Sequence, residues 1–164
     1  MKKLILLLAF LMLASCSTNN NSDVSNQKVL IETNKGYVTI ELYDDTPITT
    51  TNFLKLIDEG FYNNLTFHRY EPGFVIQGGD PNGDGTGGSK DTIKLEVIGR
   101  SHYRGTLGMA RSSNPNSASS QFFINLADND FLDEGYTVFG KVTEGMDVVD
   151  ELRAGDQILH ITKV

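Results

Sequence analysis

From Lys28 onward the chain is a succession of short runs rich in β-branched and aromatic residues, punctuated by glycine-bearing turns. Such a pattern builds sheets and excludes most helical architectures. Residues 29–33 and 37–42 flank Asn34-Lys35-Gly36, a connection of hairpin length, and further runs cover residues 66–70, 74–77, 106–110, 121–125, 137–142 and 157–164. Two helices interrupt them. The first is predicted from Thr46 as cap, with Pro47 in its opening turn, Phe53, Leu54, Ile57 and Phe61 at near-helical spacing, and Gly60 at its end; the second covers residues 146–152. Eight strands and two helices without βαβ alternation predict an all-β sandwich or closed barrel. Closure is favoured because it leaves no exposed edge.

The first residues do not belong to this domain. Met1-Lys2-Lys3 is basic, and residues 4–13 (LILLLAFLML) form an apolar run about half as long as a membrane-spanning helix. This is signal-peptide anatomy, and the run ends in Leu13-Ala14-Ser15-Cys16, similar to a bacterial lipobox. Cys16 is the single cysteine, so it has no partner within the chain, and its thiol is the side chain able to form a thioether to diacylglycerol. The expected organisation is a signal peptide over residues 1–15, a lipidated Cys16 with a disordered polar tether over 16–27, and one folded domain over 28–164. Eleven tether residues give an r.m.s. reach of about 17–20 Å, holding the domain near a membrane outside the cytoplasm. The 14 basic against 21 acidic residues, a net charge of −7, argue against a nucleic-acid partner.

Three stretches carry the candidate chemistry. The first is Phe67-His68-Arg69-Tyr70-Glu71-Pro72-Gly73-Phe74-Val75-Ile76-Gln77-Gly78-Gly79-Asp80 with Gly85-Thr86-Gly87-Gly88 after it. An arginine among aromatic and apolar residues needs either a carboxylate partner or a ligand, because an unpaired buried guanidinium is costly. The second runs from Gly105 to Arg111 and resumes at Ser119-Ser120-Gln121-Phe122-Phe123-Ile124-Asn125; the third holds Phe131-Leu132-Asp133 and Val138-Phe139-Gly140-Lys141-Val142.

At these blocks the chain resembles the cyclophilin family of peptidyl-prolyl cis–trans isomerases, from about Val29 to the C-terminus. The resemblance implies a closed eight-stranded antiparallel barrel capped by two α-helices, with a proline-binding groove on its outer surface; together with the lipobox-like start, the expected partners are proline-containing polypeptides of the cell envelope, met by a monomer. It places the catalytic role on Arg69 and substrate binding on Phe74, Val75, Gln77, Ala110, Arg111, Gln121, Phe123, Phe131, Leu132 and Tyr136. Arg111 takes a position where the family uses the backbone, so its side chain is expected to matter little. Val75 stands where methionine is common, Phe131 where many eukaryotic members have tryptophan, and Tyr136 where they have histidine; losing the indole donor should weaken cyclosporin binding. The implied reaction needs no cofactor, metal, nucleophile or titrating base, since a guanidinium is charged at every working pH.

Other readings stand beside this one. Of Phe122 and Phe123, one should face the core and the other the groove. His68 is expected to be a hydrogen-bonded structural residue on the face opposite Arg69. His102 and His160 show no zinc spacing, and Ser119 and Ser120 lack a nucleophile elbow. Asp80 to Gly85, with Asp91 in twelfth place, matches the spacing of a calcium loop without its flanking helices and terminal Glu. The functional alternative to an isomerase is a non-catalytic proline-peptide-binding or chaperone lipoprotein.

Overall fold

A computed structural model describes residues 27–164; the signal peptide, Cys16 and nearly all of the proposed tether lie outside the described residues. The chain forms β1 (Lys28–Thr33), β2 (Gly36–Leu42), α1 (Pro47–Asp58), β3 (Leu65–Glu71), β4 (Val75–Asp80), β5 (Thr106–Met109), β6 (Phe122–Asn125), a single 3-10 turn (Asp130–Leu132), β7 (Val138–Glu144), α2 (Met146–Glu151) and β8 (Gln157–Lys163). The strands close into one barrel in the order β1-β2-β7-β5-β6-β4-β3-β8, every neighbouring pair antiparallel. Of the two architectures left open by the strand pattern, the barrel is the one adopted. No helix among the described residues is long and apolar enough to cross a membrane.

Alternation along each strand divides the barrel into an inner and an outer surface. Phe67, Gly78, Phe122 and Met109 are register partners on successive strands, and the three with side chains are buried in the interior. α1 turns Phe53, Leu56 and Ile57 into the same core. The Phe53 ring meets Tyr62, Phe122 and Phe139 at centroid separations of 5.1, 5.4 and 5.2 Å. Removing a fully buried phenylalanine of this kind costs about 3–5 kcal/mol.

The start of α1 departs from the expectation. Thr46 makes no side-chain capping bond. Glu96, far along the chain, accepts the backbone N–H groups of Ile48 and Thr49 and the Thr49 hydroxyl at 3.0, 2.7 and 2.7 Å. The reason is local geometry: the Thr46 hydroxyl lies 3.3 Å from that of Thr50, which donates to the Tyr43 carbonyl, so Thr46 is drawn away from the helix end. A carboxylate at this end also interacts favourably with the positive end of the helix dipole. Phe74 lies outside β4, Ala110 outside β5 and Gln121 outside β6, each one residue beyond the strand expected to hold it.

Candidate active site

On the outer surface, one row of register partners crosses four strands: Arg69 on β3, Gln77 on β4, Phe123 on β6 and Gly108 on β5. The row is the floor of the candidate site. Gly108 is required there, because a Cβ at that position would collide with the Phe123 ring. The missing side chain lets an aromatic ring lie flat against the barrel wall. Phe123 is 4% exposed although it faces outward, because the rings of His102 and Tyr136 pack on it, while Phe122 points inward among Phe53, Tyr62 and Phe67. The pair divides between groove and core as alternation requires.

Around this floor, Arg69, Phe74, Val75, Gln77, Ala110, Arg111, Phe123, Leu132 and Tyr136 enclose a pocket of about 160 Å³. A polar pocket of about 240 Å³ adjoins it, lined by Gln77, Ala110, Arg111 and Gln121 with Gly85, Thr86, Gly87, Ser112, Ser117 and Ser119. Two of the expected residues sit differently. Gln121 belongs to the polar pocket alone, and Phe131 is on the rim, 73% exposed, its ring stacked on Phe74 at 5.7 Å.

Arg69 is held from several sides. Its Nη1 donates to the Gln77 Oε1 at 3.4 Å, its guanidinium carbon lies 5.6 Å from the Phe74 ring centroid, and Glu71 approaches its Nε at 3.6 Å. Gln77 in turn donates through Nε2 to Gln121 Oε1 at 2.8 Å, and Gln121 Nε2 donates to the carbonyls of Gly87 and Gly85 at 2.7 and 3.1 Å. Both amides are thereby fixed in orientation, and the carbonyl of Gln77 has to face Arg69. The loop supplying those carbonyls is ordered by Asp80, whose carboxylate accepts the backbone N–H groups of Asn82, Asp84 and Gly85. Asp80 is buried, and a Cβ on Gly87 would overlap its carboxylate. The residue that would open a calcium loop thus serves as an internal cap, and among the described residues no cluster of three metal-ligating side chains forms.

A second support escaped the sequence reading. Buried His102 stacks on Phe123 at 5.5 Å and 19°, with Tyr136 edge-on to both rings. Asn125 Nδ2 donates to His102 Nδ1 at 3.1 Å, which leaves Nε2 as the protonated nitrogen, donating to the Tyr136 carbonyl at 3.3 Å. Burial pushes the His102 pKa below the ordinary 6.5, against upward pulls from the Tyr136 carbonyl and Asp133. The imidazole is a neutral spacer between Phe123 and the loop of Tyr136. No local spacing signals it, since its partners come from β6 and from a loop some thirty residues away.

His68 corrects the other expectation. The strand register is irregular between Phe67 and Arg69, the His68 ring lies beside Gly85 at the polar pocket, and neither ring nitrogen has a hydrogen-bond partner among the described residues. The nearby carboxylate of Asp80 is taken by backbone donors. Burial lowers the His68 pKa, with Asp80 and Asp84 opposing and Arg69 assisting.

Comparisons with known proteins identify the family to which this fold belongs. Residues 28–162 match the family described as cyclophilin type peptidyl-prolyl cis-trans isomerase/CLD. A peptidyl-prolyl cis-trans isomerase of Acinetobacter baylyi is 49% identical over 140 residues, covering 79% of this chain and 73% of the relative. Peptidyl-prolyl cis-trans isomerase B of Escherichia coli is 47% identical over 137 residues, covering 76% and 83%. A crystal structure of a Cryptosporidium parvum cyclophilin type isomerase, in the presence of the dipeptide Ala-Pro, superposes with a TM-score of 0.78 at 34% identity, covering 83% of this chain and 98% of that one.

Proposed function

The chain belongs to the cyclophilin-type peptidyl-prolyl cis–trans isomerase family and is a peptidyl-prolyl cis–trans isomerase; we propose that the groove over Phe123 is where it works and that Arg69 is its catalytic residue. Rotation about an X–Pro bond meets a barrier of about 18–20 kcal/mol because the prolyl nitrogen's lone pair is delocalised into the carbonyl. No bond breaks. A donor aimed at that nitrogen finds a lone pair only when the amide is twisted, so it stabilises the transition state above either planar state. The prolyl ring occupies the pocket of Phe74, Val75, Phe123 and Leu132, and Arg69 supplies the donor at its edge. The observation that carries this reading is the orientation of Arg69 by Gln77, itself fixed by Gln121 and the carbonyls of Gly85 and Gly87. A guanidinium already turned toward the pocket loses less freedom when the substrate twists than a free one would.

Arg69→Ala is expected to lower kcat/KM on an Ala-Pro peptide by about 10²–10³, the usual loss for one transition-state donor. Exchange NMR on wild type and variant reads this directly, and an unchanged rate removes Arg69 from the mechanism.

Residues 1–15 direct export, Cys16 carries the lipid, and the domain acts as a membrane-tethered monomer on exported polypeptides whose X–Pro bonds would otherwise rotate in tens to hundreds of seconds. The support is the basic start, apolar run and single cysteine, in that order. Cys16→Ser should move the protein from the membrane to the soluble fraction. An intact mass matching unmodified Cys16 would sink the lipid assignment.

A further inference from the structure

The charge around the groove runs against the charge of the molecule. The chain carries 21 acidic and 14 basic residues, yet the charged side chains lining the two adjoining pockets are Arg69 and Arg111, with no carboxylate. Glu71 approaches Arg69 at 3.6 Å. Arg111 has no carboxylate at ion-pair distance among the described residues. Its Nε donates to the Gly135 carbonyl at 2.7 Å and its Nη1 to the Ser112 carbonyl at 2.8 Å, while the guanidinium lies 4.8 Å from the Tyr136 ring centroid. These contacts fix its plane without cancelling its charge. Two of the five N–H donors are used, so both Nη2 hydrogens and one on Nη1 are left for a ligand. Arg111 also lines both pockets, on the wall they share.

We propose that Arg111 is a specificity-determining residue, which selects substrate peptides bearing an Asp or Glu side chain within a few residues of the reacting proline. This rests on the reading that the prolyl ring occupies the apolar pocket; a peptide lying across both pockets then has to pass Arg111. A carboxylate matches the guanidinium fork and meets a cation whose side-chain freedom is already lost. A clasp that merely tied the Tyr136 loop to the end of β5 would affect every peptide alike. Selection instead shows as a ratio between peptides, which loss of folded protein does not move.

The test measures isomerisation by exchange NMR with the full chain, on Ala-Pro peptides carrying Glu, Gln or Lys in turn at each of two positions on either side of the bond. At one or more positions the Glu peptide should exceed the Gln peptide in kcat/KM by about three- to tenfold, with the Lys peptide slower than both. The preference should fade towards one in about 1 M salt. Arg111→Gln should bring the Glu-to-Gln ratio to about one, Arg111→Lys should keep part of it, and Arg111→Glu should turn the preference towards Lys. A wild type that accelerates all the peptides with equal rates for Glu and Gln overturns the proposal alone, as does a preference that survives Arg111→Gln. A wild type that accelerates none of them overturns the groove reading beneath it.

Discussion

Gly108 and His102 hold the Phe123 ring from two sides, so the apolar pocket depends on residues with no need to touch a substrate. Gly108→Ala should push the ring outward. Overpacking of this kind costs about 1–3 kcal/mol, and displacement of the pocket floor should lower kcat/KM about ten- to hundredfold. Urea unfolding and peptide kinetics on the same variant check both. His102 adds a dependence on pH. Its folded pKa lies below the value near 6.5 it has when unfolded. The unfolded chain therefore binds the extra proton first as pH falls. The stability this histidine contributes is complete above about pH 6.5 and declines below it, by at most about 1.4 kcal/mol per pH unit. Urea midpoints between pH 7.5 and 5.5 should fall in wild type and fall less steeply in His102→Asn. An equal slope in the two proteins would remove His102 as a source of it. Arg69, Gln77 and Phe123 were legible because they sit in ordered motifs on strands. Gly108 was legible in principle, as a glycine inside a strand run. His102 was not, because its role comes from a ring stacked across the barrel surface.

Among the elements, the existence of the strands and the first hairpin were readable from alternation and turns, whereas the order of strands around the barrel and the ends of elements were decided by distant partners. α1 is the clearest case. The sequence offers Thr46 beside Pro47, and the fold instead brings Glu96 to the free N–H groups of Ile48 and Thr49. Glu96 also donates its own backbone N–H to the Thr137 hydroxyl, joining α1 to the start of β7 through a long loop. Glu96→Ala should destabilise the protein by about 1–2 kcal/mol, more than an ordinary surface change. Hydrogen exchange should quicken in the first turn of α1 and in the loop around residue 96, with the barrel strands protected as before. A Thr46→Ala variant should leave that first-turn exchange unchanged, since its hydroxyl caps nothing. The 3-10 turn at Asp130–Leu132 escaped detection for a related reason. It is too short for periodicity, and its packing of Leu132 and Phe131 around Phe74 and the pocket is a matter of tertiary contact.

At the scale of the whole molecule, the ring is completed where β1 pairs with both β2 and β8. The hairpin partner of β1 follows it at once, but β8 is the last strand in chain order, and Val164 donates its N–H to the Lys28 carbonyl. β8 also closes against β3, through Leu65↔Ile158 and Thr66↔Gln157. Closure thus joins residues separated by nearly the whole domain, a high contact order that predicts slow folding. For a chain that emerges N-terminus first, the barrel cannot shut during synthesis; β1 and β3 keep open edges until β8 arrives. Deleting β8 should yield an aggregating species with no cooperative unfolding transition, detectable by light scattering, because two bare edges invite pairing with other chains. A prolyl isomerase would then itself be among the late finishers, and the row of Arg69, Gln77, Phe123 and Gly108 would be locked into register only once the final strand is in place.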